Sequence, residues 1–207
     1  MIKVFVSSAI IILTGTIAGT WLAIILAQPD DQFARCRTGA VAGGTAQIGG
    51  PFELLNSDGQ LVTDDDIVLE PTLIYFGYTF CPDVCPLDTV RNAEAIDLLA
   101  QKGISATPVF ISIDPERDTP EIVGDFAQNI HKKMIGLTGT PEQVKVVSQA
   151  FKAYFKAHQT NDDAFYLVDH STFSYLILPE YGFVEYFKRN LSPEIVAETT
   201  ACFIEHT

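Results

Sequence analysis

The chain has 207 residues, with 13 Lys+Arg against 26 Asp+Glu and four cysteines. That length suits one domain plus an extension, and a composition of 47% hydrophobic and 19% charged residues excludes a disordered chain. The net charge of −13 excludes a general nucleic-acid binder, since no cation surplus exists to neutralise phosphates, and four cysteines are too sparse for a disulfide scaffold.

Val4 to Ala27 carries no charged residue and is mostly apolar. In helix, 24 residues span about 36 Å, enough to cross a hydrocarbon core. A cleaved signal peptide has a shorter apolar core and a small-x-small site, and Ile25-Leu26-Ala27 fits that poorly. Residues 1–28 therefore read as an uncleaved N-terminal membrane anchor. That places the rest in a bacterial periplasm, tethered to the inner (cytoplasmic) membrane. Beyond the anchor, 12 basic residues face 26 acidic ones, net −14, which reads as solubility. Residues 29–47, with Pro29, Gly39, Gly43 and Gly44, show no sustained period and read as a linker. The globular domain is 48–207.

Within it, Phe52–Leu55 and Gln60–Val62 around Asn56-Ser57-Asp58-Gly59 predict a hairpin. Thr72–Tyr78 and Thr107–Ile113 are apolar, β-rich runs expected as buried strands. Between them a helix is expected, with Ala93, Ile96, Leu99 and Ala100 on one face. Thr119-Pro120 and Thr140-Pro141-Glu142-Gln143 open two helices. The second is predicted to carry a stripe of Val144, Val147, Phe151, Tyr154 and Phe155, with His158 at its end. Phe165–Val168, Thr172–Leu178 and Phe183–Phe187 read as strands. Ser192-Pro193 opens a last helix, with Ile195, Val196, Thr199, Cys202 and Phe203 on one side. The order is that of an α/β sandwich with thioredoxin-like architecture, preceded by a single transmembrane helix.

The chemistry sits in Gly77-Tyr78-Thr79-Phe80-Cys81-Pro82-Asp83-Val84-Cys85-Pro86, between a buried strand and a helix. One helical turn separates Cys81 from Cys85, which brings both sulfurs to one face. A helix N-terminus favours thiolate over thiol. Two such thiolates can close a disulfide or hold a soft metal. The Cys-x-x-x-Cys spacing is one residue longer than that of disulfide oxidoreductases. Cys36, on the linker, and Cys202, on a helical core stripe, do not complete a Cys₄ zinc site. Cys36 reads as free to bridge another molecule, and Cys202 as a small buried hydrophobe. Two thiolates with one or two added ligands suit copper. Among the histidines, His131 stands beside Lys132 and Lys133, His206 is penultimate, and His170 lies between two predicted strands beside Asp169 and Ser171. Asp83 and Asp88 read as capping and first-turn residues.

The Cys81–Cys85 stretch, Ile111-Ser112-Ile113-Asp114-Pro115-Glu116-Arg117-Asp118-Thr119-Pro120, Gly136-Leu137-Thr138-Gly139-Thr140 and Val168-Asp169-His170-Ser171 together resemble the Sco/SenC family. Its members are membrane-anchored, thioredoxin-fold copper proteins that assist assembly of the CuA centre of cytochrome c oxidase. The resemblance implies a copper ion, Cu(I) or Cu(II), held by Cys81, Cys85 and His170, with the Asp114–Pro120 loop shaping the site. It implies a metallochaperone, more a binding protein than an enzyme. Its partners would be oxidase subunit II through its CuA domain, a periplasmic copper donor and the membrane, and no nucleic acid. A second reading is a thiol–disulfide reductase that keeps the CuA cysteines reduced, with Cys81 and Cys85 as the redox pair. The cis-Pro that such enzymes keep before the facing strand is replaced here by Asp169-His170-Ser171-Thr172. A peroxiredoxin-like peroxidase is a third reading, opposed by Tyr78 where Thr is expected; a redox or copper sensor is a fourth. Tyr181, Phe183 and Tyr186 are expected as surface aromatics on the closing hairpin.

Overall fold

The computed structural model describes residues 16–21, 31–37, 48–158 and 165–207. The chain divides into two compact units, Met1–Ala34 and Arg35–Thr207. In the first, residues 16–21 are helical, and the rest of the expected anchor lies outside the described residues. Among the described residues no helix is long and apolar enough to cross a membrane.

The second unit begins with a hairpin of β1 (Glu53–Leu55) and β2 (Leu61–Thr63), paired Leu54 to Val62. Asn56 closes it, its Oδ1 accepting from Asp58 N and Gln60 N. A one-turn helix α1 (Asp64–Ile67) follows. The central sheet then forms from β3 (Thr72–Gly77), β4 (Thr107–Ser112), β5 (Ile135–Leu137), β8 (Ser174–Leu178) and β9 (Gly182–Phe187), in the order β5-β4-β3-β8-β9. β3, β4 and β5 are parallel, and β8 and β9 run antiparallel to their neighbours. Every residue of β3 and β4 is buried, as both faces of a central parallel strand must be.

Parallel neighbours need a crossover, and helices supply it. The connections are α2 (Val84–Gln101) between β3 and β4, α3 (Pro120–Ile130) between β4 and β5, and α4 (Pro141–Ala150) after β5. The closing helix α5 (Pro193–Glu205) packs on α2. The openings follow the sequence: the side chains of Thr119, Thr140 and Ser192 accept from Ile122 N, Gln143 N and Ile195 N, each with Pro at the first turn. Phe76, Phe151, Tyr175 and Phe183 form an aromatic core, with ring centroids 5.4–6.1 Å apart. This is the thioredoxin-like α/β architecture expected from the sequence.

Several local expectations change. The α4 stripe stops at Phe151, because the helix ends at Ala150; Tyr154 is exposed, and Phe155 opens a new strand. That strand, β6 (Phe155–Ala157), pairs antiparallel with β7 (Val168–His170) in a separate two-stranded sheet. His158 therefore follows a strand rather than ending a helix. The predicted strand Phe165–Val168 shifts to β7, and Phe165 is exposed. Ala100 and Ile195 face solvent, and Phe183 and Tyr186 point partly or wholly inward. The β6–β7 pair has three residues per strand, too short for periodicity to reveal.

Candidate metal centre

β3 ends at Gly77 and α2 begins at Val84, so both cysteines are delivered by the turn at the carboxyl end of a central strand. Cys85 lies in the first turn of α2, while Cys81 lies in the turn before it. Pro86 is tolerated there because first-turn N–H groups have no helical partner. Cys85 N donates to Cys81 Sγ at 3.4 Å. Gly77 makes room: a Cβ at this position would come within 2.9 Å of Cys85 Sγ, Phe110 and Tyr75.

Both thiols are free and buried. Their protonation is split. The hydrogen bond from Cys85, aided by His170 and the backbone N–H groups of Asp83 and Cys85, holds Cys81 far below the usual thiol range, at about 3. The Cys81 sulfur and burial push Cys85 up instead. In the apo protein the pair is one thiolate beside one thiol.

The imidazole arrives from the other side, on β7. His170 Nε2 lies 3.3 Å from Cys85 Sγ, and Nδ1 lies 2.9 Å from Ser171 O. A proton on Nδ1 donates to that carbonyl and leaves the Nε2 lone pair facing the sulfurs, as a metal ligand requires. The small sheet fixes the ring's position: His170 pairs with Phe155, Ser171 N donates to Tyr154 O, and Tyr154 N donates to Ser171 Oγ. Val168 N reaches Tyr78 Oη at 3.4 Å, which ties β7 to the cysteine turn. The donor atoms of Cys81, Cys85 and His170 all lie within 4.8 Å of one another. Two sulfurs and one imidazole nitrogen fit copper in either oxidation state.

The surrounding residues hold this geometry. Asp118, fully buried, accepts from Thr79 N at 2.9 Å, Thr79 Oγ1 at 2.5 Å and Ser112 Oγ at 2.6 Å. It thus clamps the turn before Cys81 to the end of β4. Burial pushes its carboxyl up, and these hydrogen bonds oppose that. Arg117 Nε donates to Asp114 Oδ2, its Nη1 donates to Tyr166 O, and its guanidinium lies 3.6 Å over the Tyr166 ring. The Asp114–Pro120 loop is therefore at the site, as expected. Beneath it, Tyr75 Oη donates to Asp88 Oδ2 at 3.0 Å, and Tyr75 and Tyr78 stand edge-on to His170 with centroids 6.2 and 5.9 Å away. Asp88 is thus a buried acceptor for Tyr75 rather than a first-turn partner of the helix dipole. Asp83 precedes α2 without a side-chain cap.

The remaining histidines stay outside this cluster. His131 Nε2 lies 3.2 Å from Asp97, and His158 Nε2 lies 2.7 Å from Asp169. Cys36 and Cys202 overturn their reading: they are bonded to each other, across 166 residues of sequence. Cys36 is no intermolecular hook and Cys202 no isolated core hydrophobe. The sequence hides this pairing, because Cys36 precedes the first strand and only the packing of α5 brings Cys202 to it. The sequence places Arg117 and Asp118 in the loop that shapes the site without assigning either its contact, and Tyr75 reads there as an ordinary strand aromatic.

The SCO1/SenC family pattern matches residues 40–205. Protein SenC of Rhodobacter capsulatus is 46% identical over 199 residues, covering 96% of this chain and 88% of that protein. The copper-bound crystal structure of Arabidopsis thaliana ScoI superposes with a TM-score of 0.72 at 39% identity, covering 76% of this chain and 99% of the other. Bradyrhizobium japonicum ScoI, also with copper bound, gives 0.67 at 35% identity over 77% and 99%. With a family match across most of its length and the same fold around a two-sulfur, one-nitrogen cluster, this chain belongs to the SCO1/SenC family.

Proposed function

We propose that Cys81, Cys85 and His170 bind one copper ion, and that the protein is a metallochaperone delivering copper to the CuA centre of cytochrome c oxidase subunit II. The observation that carries this reading is the convergence of two free sulfurs and an oriented Nε2 within 4.8 Å. Copper-bound structures of relatives support the choice of metal. In this reading residues 1–28 anchor the protein in the inner membrane, 29–47 form the linker, and 48–207 form the copper-binding domain in the periplasm. Tethering raises the effective concentration of the domain near a membrane-bound acceptor. A periplasmic donor loads the site.

Three donors leave a coordination position through which an acceptor sulfur enters. The Cys81 thiolate binds first, Cys85 gives up its proton on binding, and His170 completes the set. Transfer follows as acceptor thiolates replace these ligands one at a time, so copper is never released as a free ion. Asp118 and the β6–β7 sheet keep the ligands in place during this exchange. The test is an anaerobic Cu(I) and Cu(II) titration of the full chain, followed by mixing with an apo CuA domain. One copper per chain, lost in Cys81→Ala and Cys85→Ala and weakened for Cu(II) in His170→Ala, with transfer to the acceptor, is expected. Absence of stable copper binding sinks the reading.

A second reading has its own support, the thiolate–thiol asymmetry of the pair. As a reductase, Cys81 attacks an acceptor disulfide and forms a mixed disulfide. Cys85 then displaces the acceptor thiol, so two electrons pass to the acceptor and a Cys81–Cys85 bond remains. His170→Ala separates the two: it damages copper binding and leaves disulfide reduction largely in place, since Cys85 gives the main hydrogen bond to Cys81.

A further inference from the structure

Away from the Cys81 site, a second set of two sulfurs and an imidazole converges. Cys36, Cys202 and His206 have donor atoms within 4.8 Å of one another. Cys202 and His206 are one helical turn apart on α5, where i and i+4 side chains meet. Cys36 Sγ lies 3.7 Å from His206 Nδ1. Here a helix supplies Cys and His and the distant segment supplies the other Cys; at the first site a helix and its entry turn supply both cysteines and the distant segment supplies the His.

We propose that Cys36, Cys202 and His206 form a redox-gated second site, which is a disulfide staple when oxidised and binds one Cu(I) when reduced. Opening it takes two electrons and two protons. A protein dithiol supplies both, becoming a disulfide as the Cys36–Cys202 bond breaks to two thiols. Cu(I) then binds two thiolates and the imidazole, releasing the two thiol protons, and the soft d¹⁰ ion suits this donor set.

The segment does not depend on the bridge alone for its place. Arg37, next to Cys36, donates from Nη1 to Val184 O at 2.5 Å, and its guanidinium lies 5.8 Å over the Phe203 ring. Cys36 itself is buried. The thiols therefore stay adjacent after reduction, so the site is organised before the ion arrives. In the bridged state His206 Nδ1 faces Cys202 O at 2.8 Å. His206 is exposed, so its ring can turn from that carbonyl and present a ring nitrogen to the metal.

The test uses the full chain in detergent with Cys81→Ala and Cys85→Ala, which removes the first site and keeps the outcome independent of its function. Cu(I) uptake is measured against bathocuproine disulfonate, anaerobically, before and after reduction with a phosphine. The expected result is no copper in the oxidised protein and one per chain in the reduced protein. Adding Cys36→Ser returns it to none. His206→Ala, which keeps both cysteines, weakens binding about tenfold or more. Far-UV circular dichroism follows the fold at each step. Reduced protein that stays folded and takes no Cu(I), reduced protein that unfolds, or uptake unchanged by Cys36→Ser each overturn the proposal.

Discussion

The two Cys–Cys–His clusters use the same donor atoms and differ in where helices place them. Cys81 and Cys85 meet the N-terminal end of α2, where unpaired N–H groups favour a thiolate. Cys202 and His206 occupy the last turn and the cap of α5, where carbonyl oxygens face them and a thiolate gains no such help. The first pair is free and the second is bonded. The comparison teaches that residue types define what a cluster can bind, and helix polarity biases which redox form it rests in. The first cluster also has a buried clamp in Asp118, whereas the second is held by a surface segment.

The largest expected effect breaks the comparison at the ligands. With the Cys36–Cys202 bridge intact and the first site reduced, Cys85→Ser lowers Cu(I) affinity more than about a hundredfold, beyond what loss of a supporting residue costs. Cys36→Ser leaves first-site affinity unchanged. Competition titration of both variants reads this directly, and equal losses would erase the distinction.

On stability the order reverses. Cys36→Ser opens a loop spanning 166 residues, which costs up to about 5 kcal/mol in the chain-entropy account. Cys85→Ser removes no bridge and costs less. Urea unfolding under oxidising conditions measures the gap, and it closes when wild type is reduced.

Smaller still is the effect of loosening the clamp. Asp118→Ala leaves Thr79 N, Thr79 Oγ1 and Ser112 Oγ without their acceptor, which costs about 1–3 kcal/mol for a buried group. Copper affinity at the first site falls about tenfold as the Cys81 turn loses its register. Gly77→Ala, which brings a methyl to 2.9 Å from Cys85 Sγ, Phe110 and Tyr75, acts in the same direction and also costs about 1–3 kcal/mol of stability through overpacking.

The mildest probe is chemical. In reduced apo protein, Cys81 is a thiolate well below neutral pH, because its folded value lies near 3. Its alkylation rate by iodoacetamide should stay flat from pH 5 to 8, whereas an ordinary thiol gains about tenfold per pH unit in that range. Cys85, pushed upward, should remain unmodified throughout. Peptide mass spectrometry assigns each site, and a steep rise at Cys81 would contradict the split protonation.

Local signals were enough for much of this molecule. Thr119-Pro120, Thr140-Pro141 and Ser192-Pro193 announced three helix starts because capping is a contact between near neighbours. The continuous apolar runs at residues 72–78 and 107–113 announced the two central strands because burial on both faces suppresses alternation. The Cys81–Cys85 spacing and the strand-to-helix setting pointed to a soft-metal or redox site, and the motif resemblance supplied His170 as its partner. By contrast, β6 and β7 are too short to carry a period, and the apolar stripe of α4 runs on in sequence through Tyr154 to Phe155, where a strand begins.

The sequence by itself determined the donor types, the strand-to-helix turn that carries both cysteines, and the order of the main elements, since all of these depend on residues within a turn or two of each other. Tertiary structure alone decided that Nε2 of His170 faces the sulfurs, that Asp118 clamps Thr79, and that Cys36 meets Cys202 and His206. Each of these joins residues 39 to 170 positions apart. The pairing of β3 with β4, the packing of α5 on α2 and the β6–β7 sheet beside the Cys81 turn close those distances.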